Sequence, residues 1–356
     1  MNIFYKSALL VIISTTFFLQ SCGTTEPIDS NGTPPDTTSN SFVWQKYTFG
    51  GGGGSSVLHD VAVINDTNIW AVGEIYMKDS LGNDDPYAYN LARWDGKKWS
   101  IKKISFTNSQ GQTFLTPIQS IFAFSASNVW LGLDQLIHWD GTYFNDYEIS
   151  TNIFHSWINK IWGTSSNDVY IVGNSGSIAH LYNGTVQKIE SGTSLDIQDI
   201  WGEVDTKTNQ TTVLAVASLL NYGRALNLLQ IKNNSVTMLD TTGLHVNQHS
   251  LWFQTDKVFY VVGNGVYKKN SLSDIKWVQE NGHPFLYKEA IRGNNWNDLF
   301  IVGDFGLVSH YNGSSWKHYD MSLPNANFYS VSVKGNTVAA VGQDGDKAVI
   351  TIGRRN

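Results

Sequence analysis

Apolar positions in this chain come in short runs separated by tight polar turns, and the runs recur. The string IWGTSSNDVYIVGNSG, from Ile161, returns in altered form as IRGNNWNDLFIVGDFG from Ile291 and as IFAFSASNVWLGLDQ from Ile121. Weaker copies are VAVINDTNIWAVGE from Val61, SLWFQTDKVFYVVGNG from Ser250 and VSVKGNTVAAVGQDG from Val331. A seventh, IWGEVDTKTNQTTVLAVAS from Ile200, has a longer turn and ends without glycine. With Gly73, Gly132, Gly173, Ser218, Gly263, Gly303 and Gly342 as markers, every step after the first is about 40 to 45 residues. Each copy predicts four short strands: an Ile-Trp-Gly type segment, a run such as DVYIVG, a third ending in HWDG or its equivalent, and a fourth carrying Trp99, Phe144, Trp277 or Trp316.

That period and strand count predict an all-β, seven-bladed β-propeller of four-stranded antiparallel blades, because a lone blade cannot cover both of its faces. The last copy stops one strand short at Asn356, whereas FVWQKYTF, Phe42 to Phe49, precedes the first copy and has the look of a fourth strand. If Phe42 to Phe49 pairs beside Lys347 to Gly353, the ring closes through its own termini and two sheet edges disappear. The repeats resemble those of bacterial seven-bladed β-propellers in the broad WD40-like, kelch-like and Asp-box class. Trp94-Asp95 and Trp139-Asp140 look like the dipeptide of the first group but are followed by glycine in a turn. Asp95-Gly96-Lys97-Lys98-Trp99 is similar to the end of an Asp-box without its leading residues. No family's function transfers by motif.

Composition agrees with short aromatic strands. Hydrophobic residues are 41%, aromatics 13% with 13 Trp, and Gly 32. A formal charge of -6 without a basic cluster argues against nucleic acid, and Arg354-Arg355 is too small a pair to alter this.

The one cysteine, Cys22, follows a start with Lys6 and an apolar run from Ala8 to Leu19 that is short of the ~20 residues of a membrane span. Leu19-Gln20-Ser21-Cys22 resembles the lipobox of bacterial lipoprotein signal peptides, which implies cleavage before Cys22 and lipid on that residue. An ordinary secretory signal would leave an unpaired cysteine in an oxidising compartment. Gly23, rather than Asp, after the cysteine gives no indication of inner-membrane retention. The domain reading is a signal peptide over 1–21, a lipid-anchored tether over 22–41 rich in Thr, Ser, Pro and Asn, and a propeller over 42–356. The expected location is the bacterial cell envelope, on the outer membrane.

His138-Trp139-Asp140-Gly141 invites a catalytic reading, but its counterparts Arg93-Trp94-Asp95-Gly96 and His310-Tyr311-Asn312-Gly313 make it a repeated hairpin. A two-residue turn with positive φ at both positions accounts for its Asp and Gly. His59, His155, His245, His249 and His283 fall in segments leading into first strands and therefore on one rim. Their irregular spacing favours solvated histidines over a metal site. Asp60, Ser120, Lys160, Asp199, His249, Glu289 and Ser330 are expected to ring the channel mouth, where convergent polar groups form a default ligand site.

Trp162, Trp201, Trp252 and Phe122 repeat at one strand position and are read as packing between blades, whereas the irregular loop aromatics Trp157, Trp296, Tyr87, Tyr89 and Phe285 are contact candidates. Asp79, Asn83, Asp84 and Asp85 in the first-blade insertion have oxygen enough for calcium but no EF-hand spacing, so a solvated acidic loop is the plainer account. The resulting expectation is a non-catalytic binding or scaffold module for a protein or glycan. Asp60, His155, Trp157, Lys160, Asp199, His249, Glu289 and Trp296 are its candidate ligand residues, with no catalytic or metal residue assigned. The alternative is a propeller enzyme acting on a carbohydrate or lactone with His and carboxylate groups at the channel mouth.

Overall fold

A computed structural model describes residues 36–356 apart from 108–110, 148, 206 and 220–224. The expected signal peptide and Cys22 lie outside the described residues. Seven four-stranded antiparallel sheets follow one another along the chain. Their first strands are Val57–Asn65, Ser120–Ser125, Ile158–Ser165, Ile197–Val204, Gln248–Gln254, Lys288–Asn295 and Ala326–Lys334, defining blades 1 to 7. Each first strand touches those of both neighbouring blades, and blade 7 touches blade 1, so the seven surround an axis as a closed ring.

The apolar runs explain this packing. Second strands such as Val258–Gly263 and Asp298–Gly303 are buried throughout, because both faces of a blade are covered by its neighbours. The outermost strands, such as Thr185–Ile189 and Trp316–Tyr319, are largely exposed. The core is accordingly seven clusters, each straddling two blades. Successive residues of one strand serve opposite interfaces: Leu251 and Phe253 face blade 4, and Trp252 between them faces blade 6. Marker glycines sit where the start of a first strand presses on the second. A Cβ at Gly303 would stand 2.0 Å from the Tyr287 carbonyl oxygen, and one at Gly342 1.8 Å from that of Asn327.

Ring closure is as expected, with Phe42–Phe49 forming the outer strand of blade 7. It pairs antiparallel with Lys347–Arg355 in a register from Phe42↔Arg355 to Phe49↔Ala348. Phe42 and Trp44 pack edge-on against Phe300 and Tyr319 of blade 6. Residues 36–41, read from composition as tether, run along the same blade. Thr38 N–H donates to the Asn312 carbonyl at 2.9 Å, Asn297 Nδ2 to that of Asp36 at 2.9 Å, and Tyr319 Oη to that of Asn40 at 2.9 Å.

The Asp-Gly hairpins differ from the two-residue turn predicted for them. Only Asn183-Gly184 and Asn233-Asn234 have positive φ at both positions, whereas Asp95, Asp140 and Asn312 open four-residue turns in which glycine alone is left-handed. There the side chain takes two backbone N–H groups; Asp140 Oδ1 accepts from Thr142 and Tyr143 at 2.8 Å each. His138 ignores Asp140 and bonds Asn128 across the sheet at 2.9 Å. The same tie joins His180 to Asp168 at 2.7 Å and His310 to Asp298 at 2.8 Å. The far nitrogen of His180 meets Asn234 of the next blade at 2.7 Å, and that of His310 meets Asn40 at 2.6 Å. Blade 7 has no covalent hairpin at this place, and Asn40 stands in for it.

Removing residues up to Phe49 should therefore expose the Lys347–Arg355 edge and the Phe300 face together. A chain starting at Gly50 is expected to lose its cooperative thermal transition in circular dichroism and to aggregate. A chain starting at Asp36 should melt as the longer form does.

Candidate functional site

The first strands begin with a break in alternation. Six carry a β-bulge, at His59, Asn159, Gln198, His249, Glu289 and Tyr329, and Gln119 holds the same place in blade 2. A bulge inserts one residue and re-aims its side chain. All seven of these side chains line one cavity of about 340 Å³ at the mouth of the axial channel. From spacing alone, His249 and Glu289 fall in one ring with Asp60, Ser120, Lys160, Asp199 and Ser330. The bulges move those two outward, and Ser250 and Ala290 take the inner positions.

The inner ring is closed by its own charges. Asp60 Oδ1 lies 2.8 Å from Lys160 Nζ and accepts from Ser330 Oγ at 2.5 Å, while Oδ2 accepts from the Ile121 N–H at 2.9 Å. Asp199 binds Arg292 through both oxygens, at 2.5 and 2.9 Å, and also takes Ser250 Oγ at 2.6 Å and the Leu251 N–H at 3.1 Å. One aspartate thus links blades 7, 1, 2 and 3, and the other links blades 4, 5 and 6. Two acids and two bases make a neutral plug, and the Arg292 guanidinium stacks over Trp201 at 5.1 Å. Burial pushes the Asp199 carboxyl upward, but the charge and hydrogen bonds of Arg292 prevail and hold it below the usual carboxylate range.

The outer ring behaves differently. Glu289 Oε2 stands 3.0 Å from His249 Nδ1, which is 2.6 Å from the Glu289 carbonyl oxygen, a geometry that fits an Nδ1–H donating to that carbonyl. Burial raises the Glu289 carboxyl, with the charge of Asp304 adding and that of His249 opposing. Burial lowers the His59 imidazole against the pull of Asp60. The mouth therefore holds one carboxyl with a raised pKa beside the His249 imidazole, the His59 imidazole and a set of amides.

The other candidates spread around the rim. His155 is exposed, and Trp157, 40% exposed, sits beside it ahead of blade 3. His245 bonds the Val246 carbonyl and Asn264, and His283 packs on Trp316. Trp296 lies between the first and second strands of blade 6, at the opposite end of the ring, beside Lys257. In the first-blade insertion Asp79 takes the N–H groups of Leu81 and Asn83, and Asp85 pairs with Lys103 at 2.5 Å. Among the described residues no group of three or more His, Cys, Asp or Glu is placed to hold a metal.

No family profile and no curated protein matches the sequence. Solved structures do match. A YCF48 "bound to D1 peptide" aligns with a TM-score of 0.64 at 15% identity, over 91% of this chain and 99% of that one. YCF48 from Cyanidioschyzon merolae aligns at 0.57 and 14%, over 88% and 98%. The WD40 propeller domain of Doa1 aligns at 0.58 and 13%, over 87% and 96%. The chain is a seven-bladed propeller with neighbours in the WD40 class. At these identities the likeness is one of fold.

Breaking the plug should cost more than deleting it. Asp199→Ala leaves a buried guanidinium uncompensated and is expected to lower stability by about 3–5 kcal/mol, whereas Asp199→Leu with Arg292→Met should recover only part of the loss, because the Ile200 and Leu251 N–H groups still lack their carboxylate acceptor. Urea unfolding at neutral pH measures both. The depressed Asp199 pKa adds stability that is complete above the unfolded value of 3.8 and is lost as pH falls through the folded one. Acid unfolding of the double variant should accordingly be shallower below about pH 4.

Proposed function

We propose that this protein is a lipid-anchored propeller of the bacterial cell envelope, held on the outer membrane through Cys22, that binds a protein or glycan over its channel mouth without catalysis. The observation that carries the reading is the neutral plug: the inner-ring charges are engaged with one another, which leaves a shallow polar cup bordered by exposed aromatics. Trp157 and the fully exposed Phe285 lie on this rim, where side chains of this kind supply anchors for a partner. The YCF48 structure with its D1 peptide supports a peptide as one class of ligand for such a ring.

His249 and Glu289 favour a second reading, an enzyme acting on a carbohydrate or lactone. A carboxyl with raised pKa beside an imidazole in an open cavity is a proton-transfer pair. Against it, glycoside hydrolysis needs a second working carboxylate, and Asp199 is saturated by Arg292, Ser250 and backbone N–H groups.

Two experiments test these readings. Cys22→Ser is expected to abolish lipid labelling and release the protein from the membrane fraction; retention there would overturn the anchor. The soluble chain from Gly23, screened on peptide and glycan arrays, should find a ligand whose affinity falls about tenfold or more in Trp157→Ala or His249→Ala. Turnover of aryl glycosides or lactones that disappears in Glu289→Gln would instead establish the enzyme.

A further inference from the structure

The residue just before each bulge is a core position. Leu58, Ile158, Ile197 and Phe328 occupy it in blades 1, 3, 4 and 7, each fully buried and paired with Gly73, Gly173, Ala217 and Gly342 respectively. In blade 6 the same position, paired with Gly303, is Lys288, only 4% exposed. Its Nζ donates to the Pro284 carbonyl oxygen at 2.8 Å, and among the described residues no carboxylate lies within ion-pair distance of it. The one acid on this wall, Glu280, is already held by Lys268 and by the Trp316 indole N–H at 2.8 Å.

Buried ammonium groups are ordinarily paired, since desolvation of an unpaired charge is costly. Lys288 lines a cavity of about 230 Å³ on the mouth rim between blades 5 and 6, together with the amides of Asn264, Gln279 and Asn281. Fully exposed Phe285 forms part of its wall. A repeat position that is apolar in four blades and the neutral Gln248 in blade 5 has here become a lysine lining a cavity, with one carbonyl for company. We propose that this cavity is a carboxylate-binding pocket in which Lys288 supplies the counter-charge and Phe285 contacts the apolar body of the ligand.

The pocket shares no lining residue with the channel-mouth cavity and has only Phe285 in common with the rim reading, which it goes beyond. Burial lowers the Lys288 pKa, so an arriving carboxylate draws a proton onto the amine and masks it. Acylation of Lys288 by an amine-reactive ester, followed by peptide mass spectrometry, therefore reads occupancy without any variant. The probes are 3-phenylpropionate and the blocked dipeptide acetyl-aspartyl-phenylalanine amide, each compared with its uncharged amide counterpart, on the soluble chain from Gly23.

A saturating acid is expected to slow Lys288 acylation roughly tenfold relative to its amide and to raise the Tm. The Tm rise should be absent in Lys288→Met, which itself should melt at or above the parent because an apolar side chain suits this site. Protection by the small acid assigns a free carboxylate as ligand, and protection by the dipeptide alone assigns an acidic side chain of a protein. Equal effects of acid and amide, no protection by either acid, or an undiminished Tm rise in Lys288→Met would overturn the pocket. Failure to find any ligand on either array, with acid protection intact, would overturn the rim reading alone.

Discussion

Where seven strands converge at an axis, the bulges that let them converge break the hydrogen-bond ladder, and the backbone N–H groups just beyond need acceptors from elsewhere. Asp60 serves Val61 and Ile121, Asp199 serves Ile200 and Leu251, and Ser250 Oγ serves Ile291. Once two carboxylates are buried for that purpose their charge must be balanced, and Lys160 and Arg292 do so. Backbone geometry thus dictates the ionic plug. The plug in turn removes from chemistry the residues that would draw attention first.

What remains for recognition is the layer above it. A bulge residue has no fixed partner in its own ladder, so its identity is free to vary from blade to blade. The six bulge residues His59, Asn159, Gln198, His249, Glu289 and Tyr329, with Gln119 in the same place in blade 2, share position and polarity and little else. Repetition supplies the platform and irregularity supplies the surface. At the opposite end of the ring the turns are regular, with Asp95, Asp140 and Asn312 all capping the same four-residue loop. Residues 36–41 bind along this end of blade 6, in the place that a missing hairpin leaves at the chain termini.

Blade number, ring closure and the packing role of Trp162, Trp201 and Trp252 were legible because hydrophobic period and repeat length report burial directly. The two polar rings were legible only as one. The spacing alone did not separate them, because both faces of a blade are buried. The structure does, since Leu58 with Val61, Ile158 with Ile161, Ile197 with Ile200 and Phe328 with Val331 each share one inter-blade cluster although three apart, which period two allows only with an extra residue. Trp296, a candidate ligand residue by its irregular loop position, follows a first strand and so lies away from the other candidates at the mouth. Antiparallel alternation sends every such turn to the far end. Residues 36–41 hid behind a composition that describes linkers in general, since their hydrogen bonds are made mostly by backbone atoms.

Lys288 was invisible for a related reason. A lysine in a loop-to-strand segment reads as solvated until it is aligned with Leu58, Ile158, Ile197 and Phe328. Only the register shows that it replaces a core residue. The replacement touches only the boundary of blades 5 and 6, one of seven inter-blade clusters, and leaves the packing of the other six unchanged. A selective pocket is therefore most readily built at one interface, by a residue that departs from the repeat. Such departures, rather than conspicuous motifs such as His138-Trp139-Asp140-Gly141, are where a propeller of this kind carries information about its ligand.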